Sequence, residues 1–159
     1  MKAIETLVIG AGFSGICAAI MLAQKGRTDF RVIEKRDGIG GTWLANTYPG
    51  AACDVPSHFY CFSFAPNPDW TRLYSPQPEI QTYIERCVDD FGVRDHIAFG
   101  VEVTDIKFDE AKGGYVINFT EGDPIFARFV INGMGGLHRP SWPAITGRDT
   151  FDGKSIHTA

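Results

Sequence analysis

The stretch Leu7-Val8-Ile9-Gly10-Ala11-Gly12-Phe13-Ser14-Gly15, with Phe30-Arg31-Val32-Ile33-Glu34 after it, decides the fold. Ile4–Ile9 contains Leu7-Val8-Ile9, a short apolar run with β-branched residues that stops at Gly10, as a parallel strand buried on both faces would. From Phe13 to Lys25, Ile16, Ala19, Ile20 and Ala23 recur at helical spacing, and Gly26 sits where a C-cap is expected. Phe30–Glu34 reads as a second strand. Strand, helix and strand at this spacing make a βαβ unit with a right-handed crossover.

The glycines between the first strand and its helix fit GxGxxG. Gly10 permits the tight turn, Gly12 lets backbone approach a pyrophosphate, and Gly15 lets helix and strand pack closely. Unpaired N–H groups at the helix start, around Phe13 and Ser14, face the phosphates. Glu34 lies nineteen residues past Gly15, at the end of the second strand, where a carboxylate accepts ribose hydroxyls. The same carboxylate repels a 2′-phosphate, which leaves NAD or FAD at this site. Gly40-Gly41-Thr42-Trp43 returns backbone and a hydroxyl towards the dinucleotide, as an extended FAD requires; an ordinary glycine turn reads the same way.

Outward from this unit the chain changes character. Between Trp43 and Tyr74 lie eight of the twenty aromatic residues, interrupted by Pro49, Pro56, Pro66 and Pro68. Prolines at that density break helices and central strands. A long aromatic loop of this kind is expected to be ordered, mostly buried, and to line a site. Ile80, Tyr83, Ile84, Cys87, Val88 and Phe91 then form one apolar helical stripe, with Pro76 or Pro78 at its start and Gly92 at its end. Segments 101–108, 115–119 and 126–131, separated by Gly113-Gly114 and Gly122-Asp123-Pro124, predict an antiparallel meander. Phe129-Val130-Ile131 leads into Asn132-Gly133 as a strand returning to the parallel sheet. The expected fold is α/β: a Rossmann-like domain with a parallel sheet and a small antiparallel β-meander in three layers, occupying 1–159.

Composition narrows the function classes. The chain has 159 residues, 44% hydrophobic, with a formal charge of −4, which excludes disorder and argues against a nucleic-acid partner. The longest apolar stretch, Ile16–Ala23, is far short of the ~20 residues that span a bilayer. Glycines rather than basic residues precede it, so no signal peptide is read there. Cys17, Cys53, Cys61 and Cys87 show no CxxC spacing, and reduced thiols in a cytoplasmic protein are expected. His58, His96 and His138 form no ligand set, so no metal is expected.

Gly40-Gly41-Thr42-Trp43, Asn46, Tyr48-Pro49-Gly50, Cys53-Asp54 and Tyr60-Cys61-Phe62-Ser63-Phe64 resemble the flavin-side signature of Baeyer–Villiger monooxygenases. Gln77-Pro78-Glu79-Ile80, Asn132-Gly133, Leu137 and Pro140 continue the resemblance, although the family more often has Ala-Thr-Gly at Ile131-Asn132-Gly133. Phe151, Gly153 and His157 match the start of an FxGxxxHxxxW motif, whose tryptophan would fall two residues beyond Ala159. A second GxGxxG, used for NADPH in such enzymes, is missing, as is their flavin-side arginine. The chain is therefore expected to be the N-terminal FAD-binding part of a longer enzyme and to be inactive alone.

The resemblance implies FAD bound here, with NADPH as co-substrate at a site mostly outside this chain. In such enzymes dioxygen is trapped as a flavin C4a-peroxide that attacks a ketone or aldehyde, giving an ester or lactone. The resemblance places Asp54 near the isoalloxazine, in the cofactor-binding set and with a catalytic role in orienting the arginine beside the flavin; an ordinary turn carboxylate is the alternative. Thr42 and Trp43 would meet pyrophosphate and flavin edge, unless Trp43 only anchors its loop. Tyr60 is a phenol near flavin or a packed aromatic, and Val103 gives backbone bonds to adenine or is a plain strand residue. Lys35 and Gly133 complete the cofactor-binding set. His157 would serve domain movement and NADPH handling, or be solvated. Two other readings share these residues: a sulfur- or nitrogen-oxidising flavin monooxygenase or N-hydroxylase, and a non-catalytic dinucleotide-binding module.

Overall fold

A computed structural model describes residues 1–157. Its six-stranded sheet contains β1 (Lys2–Ile9), β2 (Phe30–Ile33), β3 (Ile97–Ala98), β4 (Val103–Asp109), β5 (Gly114–Phe119) and β6 (Ile125–Asn132), ordered β3-β2-β1-β6-β5-β4. β1 pairs in parallel with β2 on one side and β6 on the other, and β3 extends the parallel half beyond β2. β4, β5 and β6 are antiparallel neighbours. The meander is thus continuous with the parallel sheet, because β6 belongs to both.

Helix α1 (Phe13–Gln24) ends as its sequence predicts. Gly26 takes φ +70°, with Gly26 N–H donating to Ala23 and Arg27 N–H to Leu22, a Schellman cap. The same bonds close α3 (Gln77–Asp90): Gly92 at φ +64° donates to Asp89, and Val93 donates to Val88. A short helix α2 (Thr42–Ala45) lies between them, its local sequence too brief for a periodic signal.

Both helices cover one face of the sheet. Ile16, Ala19 and Ile20 from α1 join Ile80, Tyr83, Ile84, Cys87 and Val88 from α3 against Val8 and Val32. Residues of opposite orientation, Leu7, Ile9 and Ile33, pack on the other face with Ile117 and Ala127. Leu7–Ile9 of β1 and Val32–Ile33 of β2 are buried on both faces of the sheet, which is why they read as continuous apolar runs.

The aromatic loop corrects the expectation of general burial. Trp43 and Phe62 are buried and Tyr60, Phe64 and Trp70 pack against the helical core. Tyr48, Phe59, Leu73 and Tyr74 are exposed, Phe59 at 81%. Only the inward half is paired with α1 and α3: Phe13 meets the rings of Tyr60 and Phe62 at 4.8 and 5.2 Å, and Trp70 meets Tyr83 at 5.3 Å.

Candidate functional site: a cleft at the carboxyl ends of the parallel strands

The strand order reverses at β1, between β2 and β6, and that is where an open α/β sheet leaves a crevice. A cleft of ≈ 370 Å³ opens there, within the size range of small-molecule sites. Its floor is the turn after β1. Gly10 sits at φ +94° and donates to the Ile33 carbonyl at 2.7 Å, while a Cβ on it would stand 2.7 Å from the Gly133 carbonyl oxygen. Gly133 donates to the Ile9 carbonyl at 2.8 Å, and its own Cβ would meet Gly15 N at 3.0 Å. Three backbone segments therefore meet without side chains between them.

Gly15 is a packing residue. A Cβ there would lie 1.7 Å from the Gly10 carbonyl oxygen, so helix α1 could not approach β1 with any side chain present. It does not line the cleft. Gly12, Phe13 and Ser14 do, and Gly12 caps α1 without a side-chain bond, which leaves the first N–H groups of the helix directed to the opening.

Gly41 and Thr42 line the cleft beside the turn after β1. Gly41 takes φ +57°, and its Cβ would come within 2.9 Å of Gly12 Cα. Gly40 N–H donates to the Ala11 carbonyl at 2.9 Å, fastening this turn to the first one. The glycine pair is thus held against the GxGxxG turn, which separates it from an ordinary surface turn.

Glu34 is buried and lines the cleft. Its Oε2 accepts the Ala11 N–H at 2.8 Å and its Oε1 accepts the Arg36 N–H at 2.9 Å. Each oxygen keeps lone-pair capacity, so the carboxylate both braces the turn and presents acceptors to a ligand. Lys35 and Val103 lie along the same wall.

Trp43 and Tyr60 form the far end of the cleft. The Trp43 indole N–H donates to the Tyr60 hydroxyl oxygen at 3.0 Å, and the rings meet edge-on at 5.6 Å. Burial pushes the Tyr60 phenol above its ordinary value, opposed by the Trp43 bond. With one lone pair taken by the indole, its O–H remains a donor at neutral pH.

Asp54 is not in the cleft; it is exposed on the loop that follows Cys53. His157 is likewise outside, with its ring 5.4 Å from Trp142. The cleft also takes in Arg36, His138 and Arg139, which carried no motif in the sequence. Their signal is only proximity: Arg36 follows Glu34, and the other two follow Gly133 in a loop whose path no periodicity fixes.

Residues 8–76 match the family model of an NAD(P)-binding Rossmann-like domain. The chain is 46% identical over 156 residues to a Baeyer–Villiger monooxygenase of Streptomyces coelicolor, covering 98% of this chain and 30% of that protein. It is 42% identical over 154 residues to one of Pseudomonas aeruginosa, covering 97% of this chain and 29% of that protein. The crystal structure of OTEMO in complex with FAD and NADP superimposes with a TM-score of 0.84 at 32% identity, over 99% of this chain and 30% of that one. The chain therefore spans about 30% of the length of the relatives it matches. Along almost its whole length it is homologous to Baeyer–Villiger monooxygenases and shares their fold.

Proposed function

We propose that residues 1–159 form the FAD-binding part of an NADPH-dependent flavin monooxygenase of Baeyer–Villiger type. The whole enzyme would insert one atom of O2 into a ketone or aldehyde to give an ester or lactone. One observation carries the reading: Gly10, Gly12 and Gly41 leave a side-chain-free cradle at the start of α1, with the Glu34 carboxylate beside it. That donor set fits a dinucleotide, with helix N–H groups for pyrophosphate and a carboxylate for ribose. FAD, when bound, supplies the redox and oxygen-activating chemistry.

The chain's own residues then do the holding. Phe13 and Ser14 N–H groups, with Gly41 and Thr42 beside them, bind pyrophosphate; Glu34 and Lys35 take the ribose end, and Val103 and Gly133 border it. Trp43 holds the Tyr60 hydroxyl, whose proton stays in place as a donor to the ring end of the ligand. Asp54, outside the cleft, is read as orienting a cation that another part of the enzyme supplies. Its exposure fits a contact with a further segment. Four unpaired cysteines support a cytoplasmic location.

The test is purification from the complete reading frame, followed by NADPH oxidation with ketone, sulfide and amine panels. A yellow protein whose turnover responds to ketones or aldehydes supports the proposal. Response to sulfides or amines alone moves it to a heteroatom-oxidising enzyme. A colourless protein that gains no flavin spectrum with added FAD overturns it.

A further inference from the structure

Two glutamines on α3 grip the Gly40–Thr42 turn from behind. Gln81 Nε2 donates to the Ile39 carbonyl at 2.7 Å, and Gln77 Nε2 donates to the Trp43 carbonyl. Ile39 and Trp43 are the residues on either side of that turn. Gln77 and Gln81 are four apart, so they project from one face of the helix.

The Gln81 amide is fixed in one orientation. Its second N–H donates to Glu85 Oε1 at 2.7 Å, so both hydrogens are used on acceptors. Reversal would set Oε1 against two acceptor oxygens. Oε1 is left buried with no hydrogen-bond partner and lies 2.1 Å from where a Gly40 Cβ would be. Gly40 thus offers the flat face on which the amide rests, and Gly41 is pressed against Gly12 on the other side. The turn is clasped between α3 and the start of α1.

We propose that Gln77 and Gln81 are positioning residues of the cofactor cleft: by donating to the carbonyls of Trp43 and Ile39 they set the distance between the Gly41–Thr42 wall and the N-terminus of α1. This rests on the reading of the cleft as an FAD site. Neither glutamine lines the cleft, so each acts through the turn.

The test compares wild type, Gln77→Met, Gln81→Met and Gln81→Lys, made from the complete reading frame. Methionine keeps the length of glutamine and removes the donor; lysine keeps a donor for Ile39 and a charge for Glu85. Each protein is titrated with FAD by flavin fluorescence, and each apoprotein's urea midpoint is measured alongside. The methionine variants should raise the FAD Kd of the folded apoprotein about tenfold, equivalent to ~1.4 kcal/mol, whatever the midpoint loses to the unpaired carbonyl. Gln81→Lys should restore the Kd to within about threefold of wild type, ~0.7 kcal/mol. Lowered midpoints with unchanged Kd, or a lysine variant as impaired as the methionine one, would overturn the proposal. If wild type takes up no FAD, the cofactor reading fails on its own. Amide hydrogen exchange then decides the clamp: faster exchange at Gly41 and Thr42 in the methionine variants supports it, and unchanged exchange refutes it.

Discussion

Glu34 Oε2 accepts the Ala11 N–H at 2.8 Å, so the carboxylate that ends the second strand is built into the turn that ends the first. The ligand-facing acceptor and the brace of the glycine turn are one side chain. Its second oxygen holds the Arg36 N–H, and the Glu34 backbone is itself bonded to Ala98 and Val101. The mouth of the cleft is preformed by these bonds before any ligand arrives.

Glu34→Gln should therefore lose stability as well as affinity. The amide offers one acceptor where two N–H groups need one each, and hydrogen bonds to charged groups contribute ~1.5–3 kcal/mol. The apoprotein is expected to lose about 2–3 kcal/mol in urea denaturation, with FAD binding weakened further. An unchanged midpoint would mean that Ala11 and Arg36 find other acceptors.

Gly12 and Gly15 should separate the two uses of glycine. Gly12→Ala places a Cβ 3.5 Å from Gly41 Cα, an ordinary contact, at φ −83°, which alanine adopts readily. The fold should survive within about 1 kcal/mol, while the methyl group intrudes on the cradle and FAD affinity falls. Gly15→Ala places its Cβ 1.7 Å from the Gly10 carbonyl and should cost about 3 kcal/mol or more, in the range of severe overpacking. Thermal unfolding of both apoproteins, read beside FAD titrations, checks the contrast. Equal loss of stability would sink it.

This division explains what was legible in the sequence. The β1–α1–β2 unit could be read because strand, glycine turn and helix carry local signals, and Glu34 lies at a fixed remove from them. The Schellman caps at Gly26 and Gly92 were equally local. β3 was not legible, since two residues at Ile97–Ala98 have no period, and their strand character comes from pairing with β2. Nor was the exposed half of the aromatic loop: composition marks Phe59 as apolar but does not say which side of the chain the core lies on. Gln81 gave no signal, because a glutamine one turn before Glu85 reads as a solvated helix face. Its role appears only when α3 is brought against Ile39.

Asp54 tests the difference between resemblance and contact. It is exposed and does not line the cleft, so Asp54→Asn should leave FAD affinity within about twofold and stability within about 0.5 kcal/mol, as for surface changes generally. Under the proposed function, its effect should fall on NADPH-dependent turnover by the protein made from the complete reading frame. A large loss of FAD binding would instead place the carboxylate among the direct ligands of the flavin.

Tyr83 gives a pH-dependent prediction. Its hydroxyl oxygen accepts the Phe62 N–H at 2.7 Å, and its proton is donated to the Ala65 carbonyl at 2.8 Å, tying the aromatic loop to α3. Burial pushes the phenol well above its ordinary value of 10, only partly opposed by the Phe62 bond. The folded state therefore holds the proton where the unfolded chain releases it. Stability from this group is fully present below about pH 10 and falls as pH rises beyond that towards the folded value. Tyr83→Phe removes the titration and leaves two backbone groups unpaired, costing about 2–4 kcal/mol near neutrality. Urea midpoints at about pH 8 and pH 11 check the sign. Half-buried Cys17 and Tyr60 are also raised by burial and act in the same direction in both proteins, while buried Cys87, raised by burial, loses the lowering contact with the Tyr83 hydroxyl in the variant and offsets part of the difference. The gap between wild type and Tyr83→Phe should consequently narrow on going to high pH. A gap that stays constant would show that the phenol ionises alike in folded and unfolded chains, and that its burial does not hold the proton in the folded state.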